Sequence, residues 1–366
     1  MKNISFLFLF MLLSTNISAQ SIDQKVAEWQ LSHFKEFQGG NGKTPPSETD
    51  WVSASFYIGL ARWAGITNQH RYLDIIRAMG ERNNWQLGHL NWGPPIYYAD
   101  NHAIGQVYIA AFDHFGDHRM IDPLVQRLEY ILKNPPIISL KYDDERKCMA
   151  RWCWSDALFM APSTWFGIAR IQKDNRFRNY ANKEFWATTD FLFDKDEHLY
   201  YRDSRFIGKT GQHGEKIFWS RGNGWAIAGI TNILRELNYN DPLREQYSNL
   251  LTKMAQRLTN LQRSDGFWST SLLAHEQGVA EASGTGFITY AIAEGINMGI
   301  LNREYFSNVV DRGYKALQSV ITNGKLGLVQ QIGEKPEQVE LSNSQLYGTG
   351  AFLLSASVIK NAHTNR

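Results

Sequence analysis

Two aspartates stand where proton chemistry could be done. Asp156 lies in Trp152-Cys153-Trp154-Ser155-Asp156-Ala157-Leu158-Phe159-Met160, among tryptophans and just before a strongly apolar stretch. Such surroundings desolvate a carboxyl group and raise its pKa, and a second carboxylate nearby raises it further. The group can then hold a proton near neutral pH and donate it. Asp100, in Tyr97-Tyr98-Ala99-Asp100-Asn101-His102, is the candidate second carboxylate. It could equally be an N-cap or first-turn acid, worth about 0.5–2 kcal/mol to a helix. Asn101 and His102 beside it are candidate ligand contacts, and His102 is otherwise a rim residue with internally satisfied nitrogens. The run Trp219-Ser220-Arg221-Gly222-Asn223-Gly224-Trp225 places a guanidinium, which suits a carboxylate, between indoles, which suit the C–H face of a sugar. Trp152 belongs to the same set of candidates.

Other chemistries fit less well. The glycines near Trp225 do not make a phosphate loop, because no strand precedes them and the spacing is wrong. His114 and His118 are four apart, as metal ligands on one helix face would be, but Gly116 and Asp117 between them read as a turn. No metal or organic cofactor is expected. No Gly-x-Ser-x-Gly elbow or Cys/His nucleophile setting is present. Cys148 and Cys153 are the only cysteines, and on one helix their spacing would point them to different faces, so two buried thiols are expected rather than a bridge.

These residues recur at similar places in a repeating pattern. Six segments that are apolar nearly all round begin near Trp51, Tyr98, Trp152, Trp219, Glu281 and Ser342, at separations of 47, 54, 67, 62 and 61 residues. Helices of that kind are buried on every side. Amphipathic segments alternate with them: 22–37, 72–84, 121–132, 177–193, 243–261 and 305–321. Strand signals are confined to short pieces around 198–206. The economical architecture is all-α, a closed (α/α)6 barrel with the buried helices inside. Every inner helix follows an outer one, so the inner N-termini meet at one rim. Asp100, Asn101, His102, Trp152, Asp156, Trp219, Arg221, Trp225, Ser283 and Thr285 should therefore share a mouth. Six helix N-termini favour an anionic group there, and carboxylates, indoles and Arg beside them point to an acidic sugar.

Composition bounds the partners. The 366 residues are 43% hydrophobic and 20% charged, with 38 Lys and Arg against 36 Asp and Glu, so no general positive field exists to gather nucleic acid or an anionic membrane. Twelve tryptophans exceed what a core of this size ordinarily needs and favour sugar faces. The apolar run Ile4–Leu13, after Lys2 and before a small-residue cleavage site at Ala19, reads as an export signal over residues 1–19. Residues 20–366 should then form one catalytic domain, a soluble periplasmic or secreted monomer with no membrane span.

At this point the chain resembles glycoside hydrolase family 105, the unsaturated rhamnogalacturonyl hydrolases, which are similar to the unsaturated glucuronyl hydrolases of family 88. The pieces YYADNHAIGQ, WSDALFMAP, FWSRGNGW, DGFWSTSLL and EASGTGFITYAIAEGINMGIL carry the resemblance, in the family's order, from about Trp51 to the C-terminus. The resemblance implies the (α/α)6 barrel, Asp156 as catalytic acid/base, Asp100 as the second essential carboxylate, and Trp219, Arg221 and Trp225 along the sugar site. One departure is visible. Where relatives have a His and a Trp after the paired tyrosines, this chain reads Tyr200-Tyr201-Arg202-Asp203-Ser204-Arg205, so Arg202 or Arg205 is expected to bind another anion.

The implied substrate is an oligosaccharide left by a polysaccharide lyase, ending in a uronate with a C4=C5 double bond. That double bond erases the stereocentres separating galacturonate from glucuronate. Fragments of pectic rhamnogalacturonan and of ulvan-type glucuronyl-rhamnose, some sulfated, are both compatible, and the extra arginines tilt toward the second. A conventional inverting glycosidase, with two carboxylates about 6.5–9.5 Å apart, and a non-catalytic glycan binder are the competing readings. A sugar epimerase would want two opposed histidines in the mouth.

Overall fold

The computed structural model describes residues 20–211 and 214–364, so the export segment expected over residues 1–19 lies outside the described residues. Six helices form the outer layer: α1 (Ile22–Ser32), α3 (His70–Arg82), α5 (Asp122–Lys133), α8 (Asn175–Leu192), α10 (Arg244–Thr259) and α12 (Arg303–Ser319). Their patterning follows the helical period. α12 buries Phe306, Val309, Val310, Gly313, Ala316 and Leu317 and turns its charged residues outward. Short polar side chains start several of them: Ser21 accepts from the backbone of α1, Asp174 from α8 and Asn302 from α12.

The inner layer consists of α2 (Trp51–Ile66), α4 (Ile104–Phe115), the short α6 (Ala157–Met160) followed by α7 (Pro162–Gln172), α9 (Ser220–Glu236), α11 (Ala282–Asn297) and α13 (Leu346–Thr364). Every residue from Ser220 to Leu234 of α9 is buried, as an all-round apolar segment requires. Each inner helix packs on the next, and α13 packs back on α2, which closes the ring. Closure depends on two facing glycines. A Cβ on Gly59 would lie 2.2 Å from the Gly350 carbonyl oxygen, and one on Gly350 would lie 2.1 Å from that of Ser55. The expected (α/α)6 barrel is the architecture found.

Three of the six inner segments begin later than their sequence pattern suggests. Asp100 and its neighbours form a 3-10 turn, Ala99–His102, ahead of α4. Pro162, which has no N–H and fixes its own φ, separates α6 from α7, so Asp156 stands just before a single isolated turn. The third begins at Leu346, after a long connection. Both aspartates thus sit on irregular backbone at the mouth.

Three two-residue antiparallel hairpins lie on connections from an outer to an inner helix: β1 (Phe193–Asp194) with β2 (Leu199–Tyr200), β3 (Trp268–Ser269) with β4 (Ala280–Glu281), and β5 (Ile321–Thr322) with β6 (Lys325–Leu326). Only the first falls near the stretch where strand was expected. Gly116 ends α4 in the left-handed conformation at φ 73°, which makes the turn expected between His114 and His118.

The cysteines overturn their expectation. Cys148 and Cys153 form a disulfide, with Cα atoms 5.6 Å apart. They are not on one helix. Cys148 lies in a 3-10 turn, Lys147–Arg151, and Trp152 at φ 58° then reverses the chain, so Cys153 returns toward its partner.

Candidate active site

The site is built by pairing two irregular segments. The Ser155 N–H donates to the Arg202 carbonyl at 2.8 Å, and Trp154 bridges Asp203, so Asp156 and Arg202 emerge side by side. Asn223 of α9 fixes the second segment from below: its amide accepts from Tyr200 N–H at 2.8 Å and donates to the Tyr200 carbonyl at 3.0 Å. Gly222 is needed for this approach, because a Cβ there would sit 2.8 Å from Ser155 Oγ.

A cavity of about 360 Å³ opens at the rim, with Asp100, Asp156, Met160, Arg202, Trp219 and Arg221 deep in it and Trp92, Arg146 and Glu334 among its other walls. Both aspartates are almost wholly buried, 6% and 9% exposed. Burial pushes the Asp156 carboxyl above its usual range, against the pull of Arg202, Arg221 and the Ser155 hydroxyl, which donates at 3.1 Å. Burial also raises Asp100 to about 7; the Tyr98 hydroxyl opposes this and the Asp156 charge adds to it. Burial thus favours the protonated form of both carboxyl groups in this one cavity.

Arg202 is the cation nearest the acid. Its Nε lies 3.8 Å from an Asp156 oxygen and has no hydrogen-bond partner among the described residues, while Nη1 donates to Asp203 at 2.7 Å. Asp203 is held below the usual carboxylate range by Arg205 and Arg202, although burial works the other way. Arg205 spends its guanidinium on Asp203 and Glu334, at 2.8 and 2.7 Å, so it is a buttress rather than a free anion site.

The expected mouth needs correction at several residues. Arg221 lines the cavity, but its terminal nitrogens donate to the Gln330 and Gln331 carbonyls at 2.6 and 2.9 Å, and it stacks on Trp219 and Tyr347. Asn101 does not face the cavity: its side chain bonds Leu90 N–H, the Leu90 carbonyl and the Pro95 carbonyl, pinning the chain that carries Trp92. His102 bonds the Ile96 carbonyl through Nε2 and accepts from Trp165 at Nδ1. Burial lowers its pKa to about 3, so it is neutral and committed. Trp152 packs on Trp165 and Tyr180 behind the wall. Trp225 joins Phe159 and Phe287 in a plug across the barrel axis, with ring centroids 3.9–5.4 Å apart. Most of the tryptophan excess fills core in this way, and Trp92, 37% exposed, is the indole most open to a ligand. The rim is also less electropositive than six bare helix ends would be. Asp50 caps α2, and Glu281 accepts from Ser283 and Gly284 of α11.

Sequence reading missed Trp92, Arg146 and Glu334, which lie in loops with no periodicity. Tyr98 and Trp154 sat inside the motifs above and were passed over. A second cavity, about 320 Å³, lies where the inner helices end, but its carboxylates are spent: Asp113 and Glu236 on Arg170, and Glu294 on Arg62 and Arg235. Among the described residues no group of three or more His, Cys, Asp or Glu could hold a metal.

A ring of helical hairpins with two buried carboxyl groups and an arginine in an end-on pocket is a setting for acid–base chemistry on an acidic sugar. The sequence matches the profile of Glycosyl Hydrolase Family 88 over residues 22–361, and the chain belongs to that family and is a glycoside hydrolase. It is 38% identical over 360 residues to the unsaturated 3S-rhamnoglycuronyl hydrolase of Alteromonas sp. (strain LOR), covering 94% of this chain and 86% of that protein. An enzyme of the same name from Formosa agariphila is 33% identical, with 92% and 88% covered. The structure of a family 88 glycosyl hydrolase from Bacteroides vulgatus superposes with a TM-score of 0.81 at 27% identity, covering 93% of this chain and 97% of the other.

Proposed function

We propose that the enzyme removes a terminal 4,5-unsaturated uronate from lyase-generated oligosaccharides in which that uronate is linked to rhamnose. Ulvan-type fragments fit better than pectic ones. The observation that carries the reading is the pair of buried aspartates beside Arg202, both raised above the ordinary carboxyl range by burial. The names of the two curated relatives support the rhamnose linkage.

In the proposed path, the substrate carboxylate takes its place against Arg202. The added negative charge near Asp156 raises that carboxyl group's proton affinity when the donor is needed. Asp156 transfers its proton to C4, and positive charge develops at C5 and the ring oxygen. The Asp156 carboxylate then takes a proton from water as the water oxygen attacks C5. The hemiketal opens, and the aglycone leaves C1. Asp100 holds ring hydroxyls and is coupled to Asp156 by like-charge repulsion, so that the pair favours keeping a proton. The buried walls of Trp154, Trp219 and Met160 exclude bulk water and strengthen these interactions.

The direct test follows the ultraviolet absorbance of the conjugated double bond with lyase-treated ulvan and rhamnogalacturonan fragments. Wild type should abolish the absorbance, and Asp156→Asn should slow the loss about 10²–10⁴-fold. Release of saturated sugars with the absorbance retained would make it a conventional glycosidase, and no change would make it a binder. Export to an oxidising compartment completes the proposal, supported by the apolar run Ile4–Leu13 and the Cys148–Cys153 bridge.

A further inference from the structure

The cavity holds one more cation than the proposed reaction uses. Arg202 faces the acid, and Arg221 is tied to two backbone carbonyls. Arg146 lines the same cavity, yet among the described residues its guanidinium makes no close ion pair or hydrogen bond; it feels the charge of Glu334 and lies 5.6 Å from the centre of the Trp92 ring. Three guanidinium groups, those of Arg146, Arg202 and Arg221, line this one cavity. Arg202 is paired with Asp203 and Arg221 with backbone carbonyls, which leaves Arg146 as the cation with the fewest commitments.

The backbone at Arg146 is also unusual. Its φ of 55° is a left-handed conformation that a residue with a side chain adopts at a cost, and such strain is kept where surrounding structure imposes it. The surroundings here are specific. Two residues on, Cys148 is bridged to Cys153, which anchors the segment to the wall carrying Asp156. Met149 packs so closely on Gly93 that a Cβ there would lie 2.9 Å from the Met149 Cβ, and Asn101 holds the other side of that chain through Leu90 and Pro95. Arg146 and Trp92 are thus fixed as a pair, a planar cation over an exposed indole.

We infer that Arg146 and Trp92 form the subsite for the sugar next to the cleaved uronate, Trp92 against its ring and Arg146 against a sulfate ester on it. A guanidinium presents parallel N–H donors that match a sulfate's oxygens, and an indole suits the apolar face of a deoxy sugar. This rests on the proposed removal of an unsaturated uronate and adds the residues that read the aglycone.

The experiment compares two synthetic disaccharides, unsaturated uronyl-rhamnose with and without a 3-O-sulfate, on wild type, Arg146→Gln, Arg146→Lys and Arg146→Gly. Wild type should prefer the sulfated compound by about 10- to 100-fold in kcat/KM, the range of one charge-assisted contact. Arg146→Gln should collapse that preference toward unity, through KM and chiefly on the sulfated compound. Arg146→Lys should restore part of it. Arg146→Gly relieves the backbone and should behave like Arg146→Gln with an unchanged or raised Tm, which separates loss of the cation from loss of fold. Equal loss on both compounds in Arg146→Gln, or equal turnover of both by wild type, overturns the sulfate assignment while leaving the uronate reaction standing. Turnover of neither compound by wild type removes the underlying reaction and this subsite with it.

Discussion

At the scale of single residues, the two aspartates differ in what their proton does. Asp100 is raised to about 7 by burial, whereas in the unfolded chain it titrates near 3.8. The folded state therefore binds the extra proton, and the stability this group contributes is full below about pH 4 and lost as pH rises toward 7. Asp100→Asn carries no such charge. Its Tm relative to wild type should rise between pH 5 and pH 8, and a gap that stays constant would show that Asp100 is not desolvated as described. The same variant removes a like charge from beside Asp156. The alkaline limb of its residual activity should move to lower pH, a limb that belongs to the coupled pair rather than to either residue. Asp100, Asp156, Trp219 and Arg221 stood out in the sequence by their types and neighbours, and Arg202 by its departure from the family pattern; the fold brings all five to one cavity. Asn101, His102, Trp152 and Trp225 had the same neighbours but do not line that cavity, and one chain without backbone geometry does not distinguish the faces of an irregular turn.

Among elements, the connections matter more than the helices. The segment around Gln330 is a junction: its N–H donates to Glu281, its side-chain oxygen accepts from Trp219, its carbonyl accepts from Arg221 and Tyr347, and its side-chain nitrogen donates to the Lys335 carbonyl. Glu281 also caps α11 through Ser283 and Gly284 N–H, at 2.8 and 2.6 Å. Glu281→Gln leaves one of these buried donors facing an amide NH2, at a cost of about 1–3 kcal/mol. Thermal melts should show a lower Tm, and KM should rise because the wall bearing Ile332 and Glu334 loosens; an unchanged KM would detach that wall from catalysis. Helix identity and layer were readable from periodicity at all twelve main segments. The reversal at Trp152, and the disulfide it permits, were not, because a left-handed residue inside a run of aromatics leaves no compositional mark.

For the molecule as a whole, stability is held by closure. α13 meets α2 across Gly59 and Gly350, and Thr349 donates to Gln30 at 2.7 Å, joining residues 319 apart in sequence. Gly350→Ala forces a methyl into the Ser55 carbonyl, and overpacking of that kind costs about 1–3 kcal/mol. Denaturant unfolding should show the loss in one cooperative transition, whereas a separate early step would mean that the repeats fold independently.

The aromatic plug of Phe159, Trp225 and Phe287 turns the barrel into a blind well. Whatever enters must come out by the same doorway, and the freed keto-sugar lies beneath the remainder of the chain it was cut from. Departure is therefore ordered, outer piece first. In steady-state inhibition, the keto-sugar should compete with substrate while the trimmed oligosaccharide should act noncompetitively.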